Sequence, residues 1–387
     1  MLAGWIRGEP ADPAPAGLDV RQTGRMGLRL VAAGCAAVLF AGIVAAAADG
    51  QSAGPGPSVA ARSRASRAAH NPVPPMPRVP RAAPAPRAAR LLYPLPARAV
   101  QPEPCPAPPI PLGPAGPPLG PPRVAESAIP WPALPPRRHV DLTPILGKGI
   151  WLTLWPGSTL DPARVVAQAR AAGLTQLWVR TGGSDQGFYG RRDLAGLLPA
   201  AHRAGLAVIA WDFPHLSDPA ADARRALAAA RLGVDGFSAD IETTAERTYL
   251  TARRVAYYLA LVRAEVGSLP VIATVPRPTA ERLRTYPYAA EAPYVDVFAP
   301  MVYWSCTEPG AAVAGAITAL ARLRPVAPIG QAYDMGSEGG RHGLPSAAET
   351  WRFLDVARRM GAIGASLYDY ESSGPQSWRA LAAYPWP

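Results

Sequence analysis

The feature that most constrains this chain is a regular alternation of short apolar, β-branched runs with alanine-rich stretches, which extends from about Gly149 to Tyr370. Such alternation is typical of parallel strands joined by crossover helices. Eight runs have the length and composition of strands, at 150–154, 176–180, 207–212, 236–242, 271–275, 295–303, 328–333 and 365–370. Roughly 250 residues carrying eight strand and helix pairs is the usual size of a (β/α)8 barrel.

The stretches between these runs carry helix-capping signals. Asp161 followed by Pro162 is a typical N-terminal cap with a first-turn proline, and Ser346 with Glu349 matches a capping box. We therefore predict an α/β fold, a single (β/α)8 TIM barrel over residues 146–387. The structural alternative is an open doubly wound sheet, which would place a glycine-rich phosphate loop after the first strand, where this sequence has none.

The fourth predicted strand carries two carboxylates on one face. Side chains alternate between the two faces of a strand, and Phe237, Ala239 and Ile241 form the apolar set that packs on helices. Asp240 and Glu242 therefore point inward near the carboxyl end of the strand, where barrel enzymes place their chemistry. Because two neighbouring carboxylates do not both ionise freely, we expect one to keep a proton near neutral pH. This arrangement suits acid catalysis of glycoside hydrolysis.

Aromatic and polar residues at other strand ends are candidates for holding a substrate. Flat aromatic faces beside hydrogen-bonding groups are what sugar rings require. The candidate substrate-binding residues are Trp155, Arg180, Asp212, Tyr303, Trp304, Gln331, Tyr368 and Asp369. In the last strand, alternation also predicts that Tyr370 faces inward, and a second catalytic carboxylate could come from Asp334, Asp369 or Glu371.

The strand-four segment 235–242, Asp-Gly-Phe-Ser-Ala-Asp-Ile-Glu, resembles the signature of glycoside hydrolase family 18, the chitinases. The Met-Val-Tyr303 sequence at the end of the sixth strand is similar to the same family. The resemblance implies that Glu242 is the general acid, that Asp240 orients a substrate acetamido group and that Tyr303 donates a hydrogen bond to that group.

Ser238 stands where the chitinases carry their first acidic residue. The segment is also similar to the Asp-x-Glu of family 25 lysozymes, which cut peptidoglycan. A closer resemblance, across residues 149–371, is to uncharacterised bacterial glycoside-hydrolase-like barrels whose sixth strand ends in Tyr-Trp. These resemblances imply a member of the glycosidase superfamily without fixing its substrate.

The part of the sequence before the barrel differs sharply in composition. Residues 1–26 form a short lead, and residues 27–48 contain an uncharged apolar stretch preceded by arginines, which predicts a transmembrane anchor or a signal sequence. Residues 49–145 are rich in Pro, Ala and Arg without apolar periodicity, which predicts a disordered linker. We therefore expect the protein to be membrane-anchored through 27–48 or secreted, with an extracytoplasmic barrel.

The charge of the chain excludes a nucleic-acid role. The formal net charge is +11, but eleven arginines lie between positions 51 and 145, in the predicted linker rather than on the barrel. A nucleic-acid groove would need these cations on the folded surface. The histidines and cysteines match no metal-ligand spacing, so we expect no metal or other cofactor, and we expect a monomer.

The sequence favours an exported or membrane-tethered glycoside hydrolase acting on a polysaccharide, such as peptidoglycan or another N-acetylhexosamine polymer. Glu242 would be its general acid and Asp240 the partner. The alternative is a catalytically inactive barrel that binds cell-wall glycan or a protein partner, which the serine at position 238 favours. A barrel for phosphorylated metabolites is a third interpretation, with only residues 336–340 as a glycine-rich loop.

Overall fold

Eight parallel strands close into a barrel in this computed structural model, which describes residues 119–136, 138–338 and 340–386. The predicted lead (1–26), hydrophobic segment (27–48) and most of the predicted linker lie outside the described residues. Closure is direct, because the first strand pairs in parallel with both the second and the last. The predicted (β/α)8 barrel is therefore confirmed.

All eight predicted barrel strands are present, and a two-residue strand forms a hairpin after the second. The strands are β1 (Gly147–Leu152), β2 (Gln176–Gly183), β3 (Gly187–Phe188), β4 (Ala207–Phe213), β5 (Gly236–Asp240), β6 (Val271–Pro276), β7 (Val297–Val302), β8 (Ile329–Gln331) and β9 (Gly364–Tyr368). Because β3 only pairs antiparallel with the end of β2, the fourth barrel strand is β5.

Helices follow the strands along the chain and surround the barrel. They are α1 (Pro162–Ala171), α2 (Arg191–Arg203), α3 (Pro219–Ala230), α4 (Ala252–Glu265), α5 (Arg282–Thr285), α6 (Tyr288–Glu291), α7 (Pro309–Leu320), α8 (Ala347–Arg359) and α9 (Pro375–Ala383). The capping predictions are confirmed, since the Asp161 side chain accepts hydrogen bonds from two backbone amides and Ser346 forms a capping box with Glu349.

Two separate apolar clusters show which face of each strand points inward. The outer cluster joins Phe237, Ala239 and Ile241 of the β5 region to helix residues. The inner cluster fills the barrel with Trp151, Trp178 and other inward residues of neighbouring strands. These two indole rings stack with centroids 4.8 Å apart. The interior is thus packed with indole rings and aliphatic side chains.

The opposite end of the barrel is closed by a short 3-10 turn, Thr143–Ile145. Ile145 is fully buried and belongs to the inner cluster, and its carbonyl accepts a hydrogen bond from the Gln176 side chain at 2.7 Å. This turn therefore packs against the amino-terminal end of the barrel.

The folded unit begins earlier than the predicted boundary at residue 146. Residues of the 119–136 segment are bound along the side of the barrel, where Glu126 forms an ion pair with the buried Arg254 at 2.8 Å and Ile129 is buried. The Val124 amide donates to the Ser217 carbonyl at 3.0 Å. A proline-rich segment without periodicity can pack against the barrel in this way because an ion pair, a buried side chain and a backbone hydrogen bond hold it. It does not need a regular apolar face.

The described residues contain no helix that combines the length and apolar character needed to cross a membrane. The segment predicted as an anchor or signal, 27–48, is not among them. Membrane attachment and an extracytoplasmic barrel therefore remain predictions from the sequence.

Candidate active site

The two strand-four carboxylates lie inside the barrel mouth, as the alternation predicts. Asp240 is the last residue of β5, which ends two residues earlier than expected. Alternation nevertheless continues, because the Ile241 amide donates to the Thr274 carbonyl at 3.0 Å and its side chain belongs to the outer cluster. On the other side, the Tyr286 hydroxyl donates to the Ile241 carbonyl at 2.8 Å. The backbone between the two carboxylates is thus held from both sides.

The carboxylate pair is almost completely shielded from water. Asp240 is 9% exposed and Glu242 is 3% exposed. One oxygen of each, Oδ1 of Asp240 and Oε1 of Glu242, is buried with no hydrogen-bond partner among the described residues. Buried carboxylate oxygens normally have partners, because an unmet polar group is costly. The surrounding described residues therefore leave both carboxylates only partly hydrogen-bonded.

Burial shifts the ionisation of both groups toward the protonated form. Burial raises the pKa of Asp240 to about 7, against the opposing effect of the positive charge on Arg180. Burial, together with the neighbouring negative charge of Asp240, raises the pKa of Glu242 well above its usual value. The pair consequently retains a proton at neutral pH, because the two carboxyls do not ionise together.

A neutral hydroxyl pair lies one inward position before Asp240. Ser238 Oγ and Thr274 Oγ1 are 2.8 Å apart, and both residues are buried. The Ser238 hydroxyl therefore has its hydrogen-bond partner on a neighbouring strand. It adds no negative charge beneath the acid pair.

Three tyrosine rings form one aromatic wall of the mouth. Tyr303 packs edge-on against Tyr333 with centroids 5.4 Å apart and lies 5.8 Å from Tyr368. The negative charges of Asp240 and Glu242 contribute, after burial, to raising the pKa of Tyr303 well above its usual value. Tyr303 and Tyr368 therefore lie together at the mouth, and substrate binding by them stays a prediction.

Tyr333 is a site residue that the sequence prediction missed. Its ring completes the tyrosine wall, 5.9 Å from Tyr368, and its hydroxyl donates to Glu338 at 2.9 Å. The sequence feature that could have identified Tyr333 as a site residue is its position near the end of the seventh predicted strand. Because β8 ends at Gln331, strand alternation did not identify which way Tyr333 points.

Arg180 and Trp155 form a second wall of the mouth. The Arg180 guanidinium lies 4.0 Å from the Trp155 ring centroid and 5.2 Å from that of Trp211. Arg180 is 5% exposed, whereas Trp155 is 37% exposed. Both predicted residues are therefore at the mouth, with a buried cation beneath a partly exposed aromatic face.

Gln331 and Asp369 shape the mouth through its loops. The Gln331 side-chain oxygen accepts from the Ser305 amide at 2.8 Å, and its nitrogen donates to the Tyr333 carbonyl at 2.9 Å. Asp369 accepts hydrogen bonds from the Thr153 hydroxyl at 3.0 Å and from the Ser372 amide at 2.9 Å. These two predicted substrate-binding residues connect loops. Most of the hydrogen bonds that their side chains can form are made with those loops.

The remaining candidates for a second catalytic carboxylate are also engaged with backbone. Both oxygens of Asp334 accept loop amides, at 2.7 Å from Gly336 and 2.8 Å from Gly343. Glu371 accepts the Thr153 amide at 3.2 Å with each oxygen. Asp240 is therefore the carboxylate best placed to act with Glu242.

The substrate-binding prediction for Trp304 is wrong. Trp304 is 1% exposed and belongs to the outer cluster, where its ring packs 5.4 Å from that of Phe353 on α8. Strand β7 ends at Val302, so the backbone has left the regular strand before this residue. Trp304 fills the layer between strands and helices instead of the mouth.

The same prediction is wrong for Asp212. Its carboxylate forms a bidentate pair with Arg225 of α3, at 2.7 Å and 2.8 Å, and burial raises the pKa of this carboxyl. Arg225 also binds Asp222 at 2.7 Å. Asp212 thus faces the helices and has a structural role.

Tyr370 also lies outside the mouth, against expectation. Its ring packs 5.7 Å from that of Trp378 on α9, and its hydroxyl donates to Gln168 of α1 at 3.0 Å. The last strand ends at Tyr368, so the inward alternation does not extend to residue 370.

The chain therefore has a (β/α)8 barrel with a buried carboxylate pair at the carboxyl end of its fourth barrel strand. No family model matches it, and no curated protein matches its sequence. Solved structures that resemble it include the spore cortex-lytic enzyme SleL of Bacillus cereus, with 13% identity, a TM-score of 0.48, and coverage of 62% of this chain and 74% of that one.

Two further solved structures show similar levels of resemblance. A chitinase from Chromobacterium violaceum has 12% identity and a TM-score of 0.47, covering 62% of this chain and 98% of that one. The chitinase-like agglutinin RobpsCRA from Robinia pseudoacacia has 11% identity and a TM-score of 0.46, covering 62% and 99%. At this level the similarity concerns the fold, and the site must be interpreted from its own residues.

Proposed function

We propose that this protein is a glycoside hydrolase that cleaves a polysaccharide containing N-acetylhexosamine, with peptidoglycan as the first candidate. The observation that carries the proposal is the buried pair at the barrel mouth, in which Glu242 retains a proton beside Asp240. A protonated carboxyl can protonate the leaving oxygen of a glycosidic bond. The aromatic walls supply surfaces for sugar rings.

The position of Asp240 favours a reaction in which the substrate supplies the nucleophile. Asp240 and Glu242 come from one strand two residues apart, so they lie side by side instead of flanking a sugar ring. In the proposed step, Glu242 gives its proton to the leaving oxygen while the acetamido oxygen bonds to the anomeric carbon. Asp240 accepts the acetamido N–H. Water then attacks the anomeric carbon, the bond from that carbon to the acetamido oxygen breaks, and the water gives a proton to Glu242. The anomeric configuration is therefore retained.

Substrate discrimination tests this proposal. We expect the full-length protein to release reducing ends from an N-acetylated polymer and to leave the same polymer uncleaved after chemical de-N-acetylation. NMR of the first products should show retained anomeric configuration. Equal cleavage of both polymers, or inverted products, would contradict the proposed role of the acetamido group.

The paired ionisation predicts a bell-shaped dependence of kcat on pH. Asp240 must be ionised to accept the hydrogen bond from the acetamido N–H. Its pKa is about 7, so activity should fall as the pH drops below neutral. Glu242 must be protonated, and its pKa is raised well above its usual value, so activity should fall again at alkaline pH. Initial rates across this range check the prediction, and a rate that is independent of pH between 6 and 9 would contradict it.

One observation favours a second function, that of an inactive glycan-binding barrel. The inward position before Asp240 holds the neutral Ser238 and Thr274 pair instead of a third carboxylate. Such a barrel would bind an N-acetylated oligosaccharide without releasing reducing ends over a long incubation. Measuring binding and turnover on the same oligosaccharide separates the two functions.

The extracytoplasmic location is part of the proposal. Its support comes from the sequence, in the apolar stretch within 27–48 and the long proline-rich segment after it. A cell-wall polymer would be accessible to a barrel held in that way. Protease digestion of intact cells tests the location, because an extracytoplasmic barrel should be degraded without lysis.

A further inference from the structure

Arg180 is a buried cation without a matching anion in the described part of the protein. It is 5% exposed, and no described carboxylate lies within ion-pair distance of its guanidinium. Its Nε is buried and has no hydrogen-bond partner among the described residues. A guanidinium has five N–H donors, and burying such a charge without a partner is costly. The side chain is therefore arranged to receive a ligand group.

The surroundings of Arg180 define where that group would bind. Its guanidinium is covered on one side by the Trp155 ring, 4.0 Å away, and Trp211 lies on another side at 5.2 Å. Stacked rings hold the planar guanidinium in place and leave its in-plane N–H groups free to bind. The charge of Arg180 also acts on Asp240, so this cation belongs to the same mouth as the acid pair.

Further positive charge lies at the mouth beyond β6. Arg277 directly follows this strand and donates to the Thr307 hydroxyl at 3.1 Å. Arg282, in α5, is close enough for its charge to act on Glu242. Within residues 119–386 apart from 137 and 339, neither forms an ion pair with a carboxylate. A glycan crossing the mouth would meet positive charge both at Arg180 and beyond β6.

We infer that Arg180 and Trp155 form a subsite for a sugar that carries a carboxylate, so the substrate is an acidic glycan. A planar carboxylate can accept two parallel N–H bonds from the guanidinium, which selects it over a neutral hydroxyl. The exposed side of Trp155 provides the surface on which the same sugar ring stacks. This inference rests on the proposed function, since it names the substrate class of the same mouth.

A binding experiment tests the inference without requiring turnover. The full-length Glu242→Gln variant is titrated by calorimetry with three tetrasaccharides: neutral chitotetraose, the peptidoglycan tetrasaccharide with lactyl carboxylates, and the hyaluronan tetrasaccharide with uronate carboxylates. We expect at least one acidic tetrasaccharide to bind about tenfold more tightly than chitotetraose, the effect of one charge-assisted hydrogen-bond pair. Whichever acidic tetrasaccharide binds more tightly identifies the source of the carboxylate.

Substitutions at Arg180 assign the preference to this residue. Adding Arg180→Gln should abolish the difference between acidic and neutral tetrasaccharides, and Arg180→Lys should retain part of it, because lysine keeps the charge without the planar fork. The matched control is Arg231→Gln, at an exposed arginine paired with Glu265, which should leave all three affinities unchanged. The melting temperature of each variant verifies that it folds.

Two results would overturn the inference: equal affinities for the three tetrasaccharides, including no measurable binding to any, or an acidic preference that survives Arg180→Gln. Hydrolysis by the wild-type protein is measured separately on the same three compounds. Arg180-dependent binding without hydrolysis would refute the proposed enzymatic function alone, whereas hydrolysis without a charge preference would refute the acidic subsite alone.

Discussion

Replacing Glu242 by Gln should reduce kcat on the true substrate about a thousandfold while the protein stays folded. The amide occupies the same space but cannot donate an acidic proton to the leaving oxygen, and positioned general acids contribute about 10²- to 10⁴-fold. Release of reducing ends is the measurement. Glu265→Gln is the control, because this exposed glutamate pairs only weakly with Arg231 and should leave the rate unchanged.

The stability of the Glu242→Gln variant provides a second, independent readout. The folded-state pKa of Glu242 is raised, so the wild-type protein loses stability as the pH rises from the unfolded-state pKa through the folded-state pKa. The amide cannot ionise, and it escapes this loss. At pH 9 the variant should therefore be more stable than wild type, and at pH 4 the two proteins should be about equally stable.

Urea unfolding at the two pH values measures this difference. An activity loss accompanied by lower stability at both values would mean that the substitution damages the fold, and the kinetic result would then not identify the acid. Activity close to that of wild type would refute the assignment of Glu242 directly.

Replacing Arg225 by Met should destabilise the protein by about 3 to 5 kcal/mol, the cost of leaving buried charge without its partner. Arg225 donates three hydrogen bonds to Asp212 and a fourth to Asp222, and both aspartates are buried. Methionine retains much of the volume of the arginine stem. The loss of stability should therefore come mainly from the buried carboxylates that no longer have a positively charged partner. Urea unfolding at pH 7 is the measurement.

Two comparisons make this prediction specific. Arg231→Met removes an exposed ion pair and should cost no more than about 1 kcal/mol. Combining Arg225→Met with Asp212→Asn should recover part of the lost stability, because one unpaired charge is removed along with its partner. A small effect of Arg225→Met alone would contradict the structural role given to Asp212.

The error at Asp212 shows what strand alternation cannot decide. Residues 208–211 of β4 are apolar on both faces, so the pattern gives no clear inward set, and an aspartate at the strand end resembles a site residue. In the structure its partner is Arg225, thirteen positions later on α3. The side of β4 on which Asp212 lies is determined by the docking of α3 against the strand. The local sequence around Asp212 does not encode that docking.

Trp304 and Tyr370 illustrate a related limit. Alternation holds only while the backbone is a regular strand, and β7 and β9 end at Val302 and Tyr368. Ser305 adopts a positive φ of 47°, so the chain turns sharply after Trp304. Beyond a strand end, the direction of a side chain depends on loop geometry and on which helix lies nearby.

The carboxylate pair of β5 could be predicted because the information is local. The apolar residues Phe237, Ala239 and Ile241 require the helix-facing side, and a period of two then places Asp240 and Glu242 inward. Helix caps and strand composition likewise determined the order of the barrel elements. These signals act within a few residues of the chain, so the sequence alone was sufficient.

Only the tertiary structure decided what surrounds that pair. It brought Tyr333 into the tyrosine wall, buried Arg180 beside Trp155, and docked residues near Glu126 on the barrel through the distant Arg254. Each of these contacts joins residues far apart in the chain. Their geometry follows from closure of the barrel and from the loops at its mouth, because burial and ion pairing depend on neighbours that the local pattern does not specify.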